Sequence, residues 1–325
     1  MRAAVLGTVG QPPVVDTHPE PRRADGFALV TVTAAPITPL DVLCASGTSY
    51  FGAPATPYVP GVQGVGVVRQ SDAVPAGSRV WFPTAAGMRP GDGSLAELCV
   101  VLDGDLVVLP DGVDDTTVAA LGLSAVAAWM VLTWRAELRA GEQVLVLAAG
   151  GVVGQVAVQA ARILGARRVV AAARSQAARD RALAVGADAV VALSSDDDVE
   201  SLSGRFAEAC GGSVDLVVDP LCGVPASAAV RILGSWGRLV NLGSSAGATA
   251  TFDSAALRSR SASVLGYTNN DLTREQRRDA LHQVLGHAAA GRLRVEHELV
   301  PLDRVEDAWS RQSAGSASVR IVVQM

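Results

Sequence analysis

No lysine occurs in the 325 residues; all 27 basic side chains are arginine. That excludes Schiff-base chemistry and the lysine of a phosphate-binding P-loop. Cysteine is scarce as well: the four, Cys44, Cys99, Cys210 and Cys222, include no C-x-x-C pair, which argues against a disulfide framework and a cysteine zinc lobe. The four histidines, His18, His282, His287 and His297, do not cluster, and His282 and His287 lack the i, i+4 spacing that puts two ligands on one helix face. They are read as surface residues. Nor does any basic stretch accumulate. With 32 acidic residues against 27 basic ones, a net charge of −5 implies neither nucleic acid nor an anionic membrane surface as partner. The apolar region from Val144 to Ala173 is interrupted by Gln155, Gln159, Arg162, Arg167 and Arg168, which makes it buried strand, helix and strand rather than a membrane span. Met1 to Leu6 reads directly into a strand, without a basic segment followed by a long apolar one, so a soluble, cytoplasmic protein is expected.

What is present divides in two. Up to about residue 117, short apolar runs (Ala3–Leu6, Ala28–Thr33, Gly64–Val68, Arg79–Phe82, Leu95–Val101, Leu106–Leu109) are punctuated by Gly and Pro, the pattern of an antiparallel, barrel-like β domain. Thr38–Ala45 reads as a short helix with Pro39 at its start and Gly47 beyond its end. A helical segment over Thr116–Arg135 leads into regular alternation. Strands at Val144–Leu147, Val169–Ala173, Ala189–Leu193, Val214–Val218, Arg238–Leu242 and Ser263–Leu265 are spaced by helices near Val152, Ala177, Val199, Pro225 and Arg274. This predicts an α/β chain whose second domain, residues 118–292, is a doubly wound parallel sheet. The tail returns to strands at Val295–Val300 and Val319–Val323 around a helix at Arg304–Trp309, and is expected to rejoin the β domain, giving it residues 1–117 and 293–325.

The chemistry is expected at the turn Ala148-Ala149-Gly150-Gly151-Val152-Val153-Gly154, which lies between a buried strand and an amphipathic helix. A phosphate approaches backbone closely only where no Cβ intervenes, so Gly151 and the first-turn N–H groups of Val152, Val153 and Gly154 are candidate cofactor contacts. The next strand ends at Ala173, where an NAD-binding unit would carry a carboxylate for the ribose. Arg174, Ser175 and Arg179 follow instead and would suit a 2′-phosphate, so NADPH is preferred over NADH. The alternative is that Arg174 and Arg179 join Arg181 in a solvated helix start.

Several further segments resemble the medium-chain dehydrogenase/reductase superfamily, in its zinc-independent quinone oxidoreductase branch, along essentially the whole chain. Thr38-Pro39-Leu40-Asp41 resembles N-P-x-D, Ser46-Gly47-Thr48 resembles S-G-x, and Pro60 to Gly66 resembles P-G-x-E-x-x-G. Gly122-Leu123-Ser124-Ala125 is similar to G-L-T-A, Ala148–Gly154 to A-x-x-G-x-x-G, and Gly237–Gly243 to G-R-x-V-x-x-G. The resemblance implies a GroES-like β-barrel catalytic domain beside a Rossmann nucleotide-binding domain. Where zinc-dependent members hold Cys, His, Glu and a further Cys, this chain has Thr38, Val62, Gln63 and, nearby, Leu121, which cannot supply those ligands. No metal is expected.

The reaction this implies is metal-free hydride transfer from NADPH to a quinone or an α,β-unsaturated carbonyl. An enoyl-thioester reductase, acting on acyl-CoA or a carrier-bound chain, and a non-catalytic NADPH-binding protein stay open as alternatives. By resemblance, Tyr50 would donate to the substrate oxygen, although Ser49 holds the matching place and Tyr50 could equally pack on Phe51 and Pro57. Thr38 and Ser124 would meet the nicotinamide ribose or a phosphate. Asp219, Gly243 and Ser244 end strands of the nucleotide sheet, where ligands gather, though Asp219 could simply cap its turn. Relatives commonly pair through the nucleotide domain's edge strand, here Ala262–Tyr267, so a homodimer is expected.

Overall fold

The computed structural model describes residues 1–325 and resolves the α/β chain into two compact units, one of Met1–Leu123, Arg274–Ala289 and Val295–Met325, the other of Ser124–Thr273 and Ala290–Arg294. In chain order the first unit begins with strands β1 (Arg2–Val5), β2 (Val14–Thr17) and β3 (Phe27–Ile37), helix α1 (Pro39–Ala45), then β4 (Gln63–Gln70), β5 (Arg79–Pro83), β6 (Leu98–Leu102) and β7 (Val107–Val108). Helix α2 (Asp115–Met130) carries the chain into β8 (Gln143–Val146), α3 (Val152–Ile163), β9 (Arg168–Ala173), α4 (Gln176–Ala184), β10 (Ala189–Ala192) and α5 (Val199–Cys210). There follow β11 (Val214–Asp219), α6 (Gly223–Arg231), β12 (Leu233–Asn241), α7 (Ser254–Arg260), β13 (Ser263–Gly266), α8 (Arg274–Ala289), β14 (His297–Pro301), α9 (Val305–Ser313) and β15 (Arg320–Gln324).

The first unit is organised by β3. Its eleven residues alternate half-buried and buried until the last four are all buried. One edge pairs with β4, while the other pairs with β6 near its start and with β15 near its end. Register shifts between Leu29 and Val30 and between Val32 and Ala34 bend the strand. The sheet curls along the order β14-β15-β3-β4-β5-β7 around a core that includes Leu6, Val30, Ile37, Phe82, Leu95, Trp309 and Ile321. Strand β2 is an addition to the elements read from sequence; it pairs with β1 alone, and three of its four residues are exposed, so it carries no alternation.

The second unit is a parallel sheet in the order β10-β9-β8-β11-β12-β13, all six strands lying where the apolar runs predict them. β8 is buried at every position, as a strand covered on both faces must be. Two helices differ from expectation. α7, between β12 and β13, buries none of its seven residues and so leaves no apolar stripe to read. α8 follows the last strand instead of preceding it and groups with the first unit, where Arg274 pairs with Asp105 (2.9 Å) and His282 meets the Val108 carbonyl (3.0 Å).

α2 is not one straight helix. Gly122 breaks it at φ 32°, ψ −134°, and the run ends in a π-turn, Val131–Arg135. The run Asp115–Arg135 is apolar and long enough to cross a bilayer by composition alone, yet 72% of its apolar window is buried within the protein, as in a core helix. The break has a visible cause. A β-carbon on Gly122 would collide with Oε1 of Gln63, and that same oxygen accepts the Leu123 N–H (2.7 Å) released by the kink. Gly122→Ala is therefore expected to destabilise by more than about 2 kcal/mol in chemical denaturation, through strain and loss of that bond. Gly204, inside α5 with nothing within 4 Å of where a β-carbon would stand, gives the contrast: Gly204→Ala should gain roughly 0.5–1 kcal/mol.

Candidate functional site

The loops after β9, β8, β11 and β12 lie side by side because those strands are adjacent and parallel. β8 is the point where connections diverge to either side, the place at which open α/β sheets gather ligands. Between β8 and α3 the chain turns through Ala148 in the left-handed region (φ 53°), Ala149 N–H donates to the Ala172 carbonyl (3.0 Å), and Gly151 N–H to that of Ala148 (3.1 Å). Gln155, buried in α3, donates to the Gly150 carbonyl (3.0 Å) and braces the turn from the helix side. Gly151 takes the N-cap position with extended backbone and no side-chain cap, and the first helical bond is Gln155 N–H to Gly151 O. The N–H groups of Val152, Val153 and Gly154 are thus left for an external acceptor.

The glycines of the turn serve different ends. A β-carbon on Gly154 would stand 2.5 Å from both Ala148 O and Ala149 Cα, and one on Gly150 would stand 2.6 Å from Ala178 Cβ. Both are required by the protein's own packing. On Gly151 the nearest atom would be 3.8 Å away, an ordinary contact, at φ −85°. The fold itself has no need of glycine there, whereas a phosphate approaching the backbone does.

At the end of β9, Ala173 is buried, while Arg174 and Ser175 are exposed. Ser175 caps α4, its Oγ accepting from Ala178 N–H (3.2 Å), which leaves its own O–H to donate elsewhere. Arg179 turns back on the strand end, donating through Nη1 to the Ala173 (3.2 Å) and Arg174 (2.6 Å) carbonyls and through Nη2 to Gln176 Oε1 (2.7 Å). Asp219, fully buried, spends Oδ1 on Leu221 and Cys222 N–H (2.9 Å each) and Oδ2 on Asn241 Nδ2 (2.8 Å). Burial pushes its pKa up despite these donors. Asn241 also donates to Gly243 O (2.8 Å), and a β-carbon on Gly243 would meet Pro220 O at 2.7 Å, so residue 243 can carry no side chain; Ser244, next in the chain, is exposed.

In the first unit, Thr38 and Asp41 form a buried capping box at α1. Thr38 Oγ1 (2.6 Å) and N–H (2.8 Å) donate to Asp41 Oδ2, and Asp41 N–H donates back to Thr38 Oγ1 (3.3 Å). Asp41 Oδ1 accepts from Val62 N–H (2.8 Å). Burial raises the pKa of Asp41, opposed by these bonds and by Arg320, whose own pKa burial lowers to about 10. Burial, with the Asp41 charge, also raises Cys44 to about 11. Gln63 Oε1 takes both Trp81 Nε1–H (3.0 Å) and Leu123 N–H. Val62 and Leu121 are buried, and no three His, Cys, Asp or Glu side chains gather as a metal site. A hydroxyl, an isopropyl, a carboxamide and an isobutyl group at these places do not fit zinc.

Tyr50 is 80% exposed, its ring 4.2 Å from that of Phe51, and Ser124 is half-buried two residues past the kink. Gly151, Val152, Val153, Gly154, Arg174, Ser175, Arg179, Asp219, Gly243 and Ser244 thus share one edge of the parallel sheet, and Thr38 and Tyr50 belong to the other unit. The sequence reading missed Gln155 and Asn241; the signal for Gln155 is a polar residue directly after G-x-x-G in an apolar run, and Asn241 has no such mark.

Among known proteins, the zinc-binding dehydrogenase family model matches residues 152–285, a stretch that begins after Thr38, Val62, Gln63 and Leu121. The quinone oxidoreductase of Rattus norvegicus is 30% identical over 251 residues, 75% of this chain and 73% of the rat protein. A phenolphthiocerol/phthiocerol polyketide synthase of Mycobacterium tuberculosis is 32% identical across 100% of this chain, which spans only 15% of that protein's length. The solved quinone oxidoreductase of Thermus thermophilus, described also in complex with NADPH, is 30% identical with a TM-score of 0.83, covering 100% of both chains.

The unequal glycines can be tested together. Gly151→Ala should leave stability within about 0.5 kcal/mol while weakening reduced-dinucleotide binding at least about tenfold, whereas Gly154→Ala should cost roughly 1–3 kcal/mol of stability. Thermal unfolding and fluorescence titration of both proteins check this; unaltered binding by Gly151→Ala would mean that the turn does not cradle phosphate.

Proposed function

The chain belongs to the quinone oxidoreductase-like branch of the medium-chain dehydrogenase/reductase superfamily, and from that footing we propose an NADPH-dependent, zinc-independent reductase of quinones or α,β-unsaturated carbonyls. The observation that carries the coenzyme choice is the end of β9, where no carboxylate stands and the exposed Arg174 and Ser175 follow. A guanidinium and a free O–H suit a 2′-phosphate, which a carboxylate would repel. Gly151 and the first-turn N–H groups of Val152, Val153 and Gly154 hold the pyrophosphate in this reading. Gly243 and Ser244 border the nicotinamide. Ser124 keeps the hydroxyl proposed for a ribose or phosphate contact; Thr38, whose own proton goes to Asp41, could serve there only as an acceptor.

When bound, the reduced nicotinamide supplies the hydride. The chain's part is to bind and orient both reactants and to stabilise negative charge as it develops on the substrate oxygen. Tyr50 is proposed for that hydrogen bond, its side chain being largely open to solvent. With an acceptor that is electron-poor by its own conjugation, the residues at Thr38, Val62, Gln63 and Leu121 have no Lewis acid to hold. The outer edge of β13, paired only to β12, is the proposed seam of a homodimer.

One observation favours a second reading. The match to a polyketide synthase runs the full length of this chain, and enoyl-thioester reduction is the same hydride delivery to a conjugated carbonyl. NADPH oxidation measured side by side with a quinone, a simple enone and an enoyl-CoA separates the two; turnover of none of them would favour a non-catalytic role. With the accepted substrate, Tyr50→Phe should lower kcat by roughly tenfold or more, and an unchanged kcat would remove Tyr50 from the mechanism.

A further inference from the structure

The charged groups that follow β9 are not equivalent. Arg174 is exposed and enters no ion pair with a carboxylate, while the half-buried Arg179 has its guanidinium closed over the strand end. The two carbonyls it holds belong to the peptide planes on either side of the Arg174 α-carbon. One plane turns with φ of residue 174 and the other with ψ, so pinning both to a single Nη1 removes the two soft rotations that set where the Arg174 side chain departs. The Ala173 carbonyl is held a second time by Leu193 N–H (3.1 Å), and Nη2 of Arg179 reaches Gln176 Oε1, whose Nε2 in turn donates to Asp180 (2.7 Å). The fork also offsets the partial negative charge of two carbonyls at a strand's C-terminal end, which would otherwise face an incoming dianion.

We propose that Arg179 is the positioning residue of the 2′-phosphate site: it does not touch the phosphate but locks the backbone from which the Arg174 side chain reaches it. This rests on the NADPH reading above. It divides a cluster that looks in sequence like two equal phosphate ligands into one ligand and one clamp. The consequence concerns coupling: a residue that acts only through Arg174 has nothing left to contribute once the Arg174 side chain is gone, whereas two independent ligands contribute separately.

The test is a double-mutant cycle of Arg174→Ala and Arg179→Ala, with dissociation constants for NADPH and NADH measured by fluorescence titration of the full chain. Each single substitution is expected to weaken NADPH by about tenfold or more, the scale of a lost charge-assisted hydrogen bond, with NADH binding unchanged. The double variant should then bind NADPH within about twofold of Arg174→Ala alone. Losses that multiply, or an Arg179→Ala protein with undiminished NADPH affinity, overturn the proposal. Should Arg179→Ala fail to fold, Arg179→Met replaces it: methionine keeps an unbranched stem but has no N–H to give either carbonyl, so it should lose NADPH affinity like alanine, and retained affinity overturns the clamp. An Arg174→Ala protein with the parent's NADPH to NADH ratio sinks the 2′-phosphate reading itself and takes this inference with it.

Discussion

Helix α3 lies against the end of β8 because residue 154 has no β-carbon, and much else depends on that approach. At 2.5 Å from Ala148 O and Ala149 Cα, a side chain would push the helix off the turn, and with it the N–H groups of its first turn. The close contact sets Gly151 at the N-cap, brings Gln155 against the Gly150 carbonyl, and lets Gly150 pack on Ala178 of α4. That last contact ties the turn after β8 to the helix that carries Arg179. The turn after β8 and the corner after β9 are therefore one packed assembly, in which small residues such as Ala172, Ala173 and Ala178 admit close backbone approach.

In the first unit, Thr38, Val62 and Gln63 are each held by the chain's own hydrogen bonds. Thr38 is bound up with Asp41, which in turn holds Val62 N–H, so α1 and the segment before β4 are joined by one buried carboxylate with Arg320 near it. Gln63 gathers Trp81 and Leu123 on a single oxygen, and the glycine that makes room for it is the one that breaks α2. A neutral carboxamide suits a place where no cation compensates a buried charge.

The parallel sheet is legible in the sequence because its strands are continuous apolar runs between helices, and the turn after β8 because two glycines stand at a strand-to-helix boundary. Other features carry no such trace. α7 is short and fully buries none of its residues, so nothing periodic marks it. The kink at Gly122 depends on Gln63, fifty-nine positions earlier by sequence number, a relation no local pattern encodes. Arg174 and Arg179 look alike as basic residues beyond a strand; only the carbonyls that Arg179 meets distinguish them. Tyr50 and Thr38 are marked by resemblance alone, and their surroundings differ: one hydroxyl belongs to an exposed side chain, the other is buried and engaged.

In the proposed function, the edge formed by the turn after β8 and the corner after β9 selects a dinucleotide bearing an adenosine phosphate. That selection is tested most directly by titrating the unmodified chain with NADPH and NADH at equal ionic strength. Both are expected to bind, with NADPH tighter by about tenfold or more, the scale of one or two charge-assisted hydrogen bonds. Equal or tighter binding of NADH, or no binding of either, would contradict it.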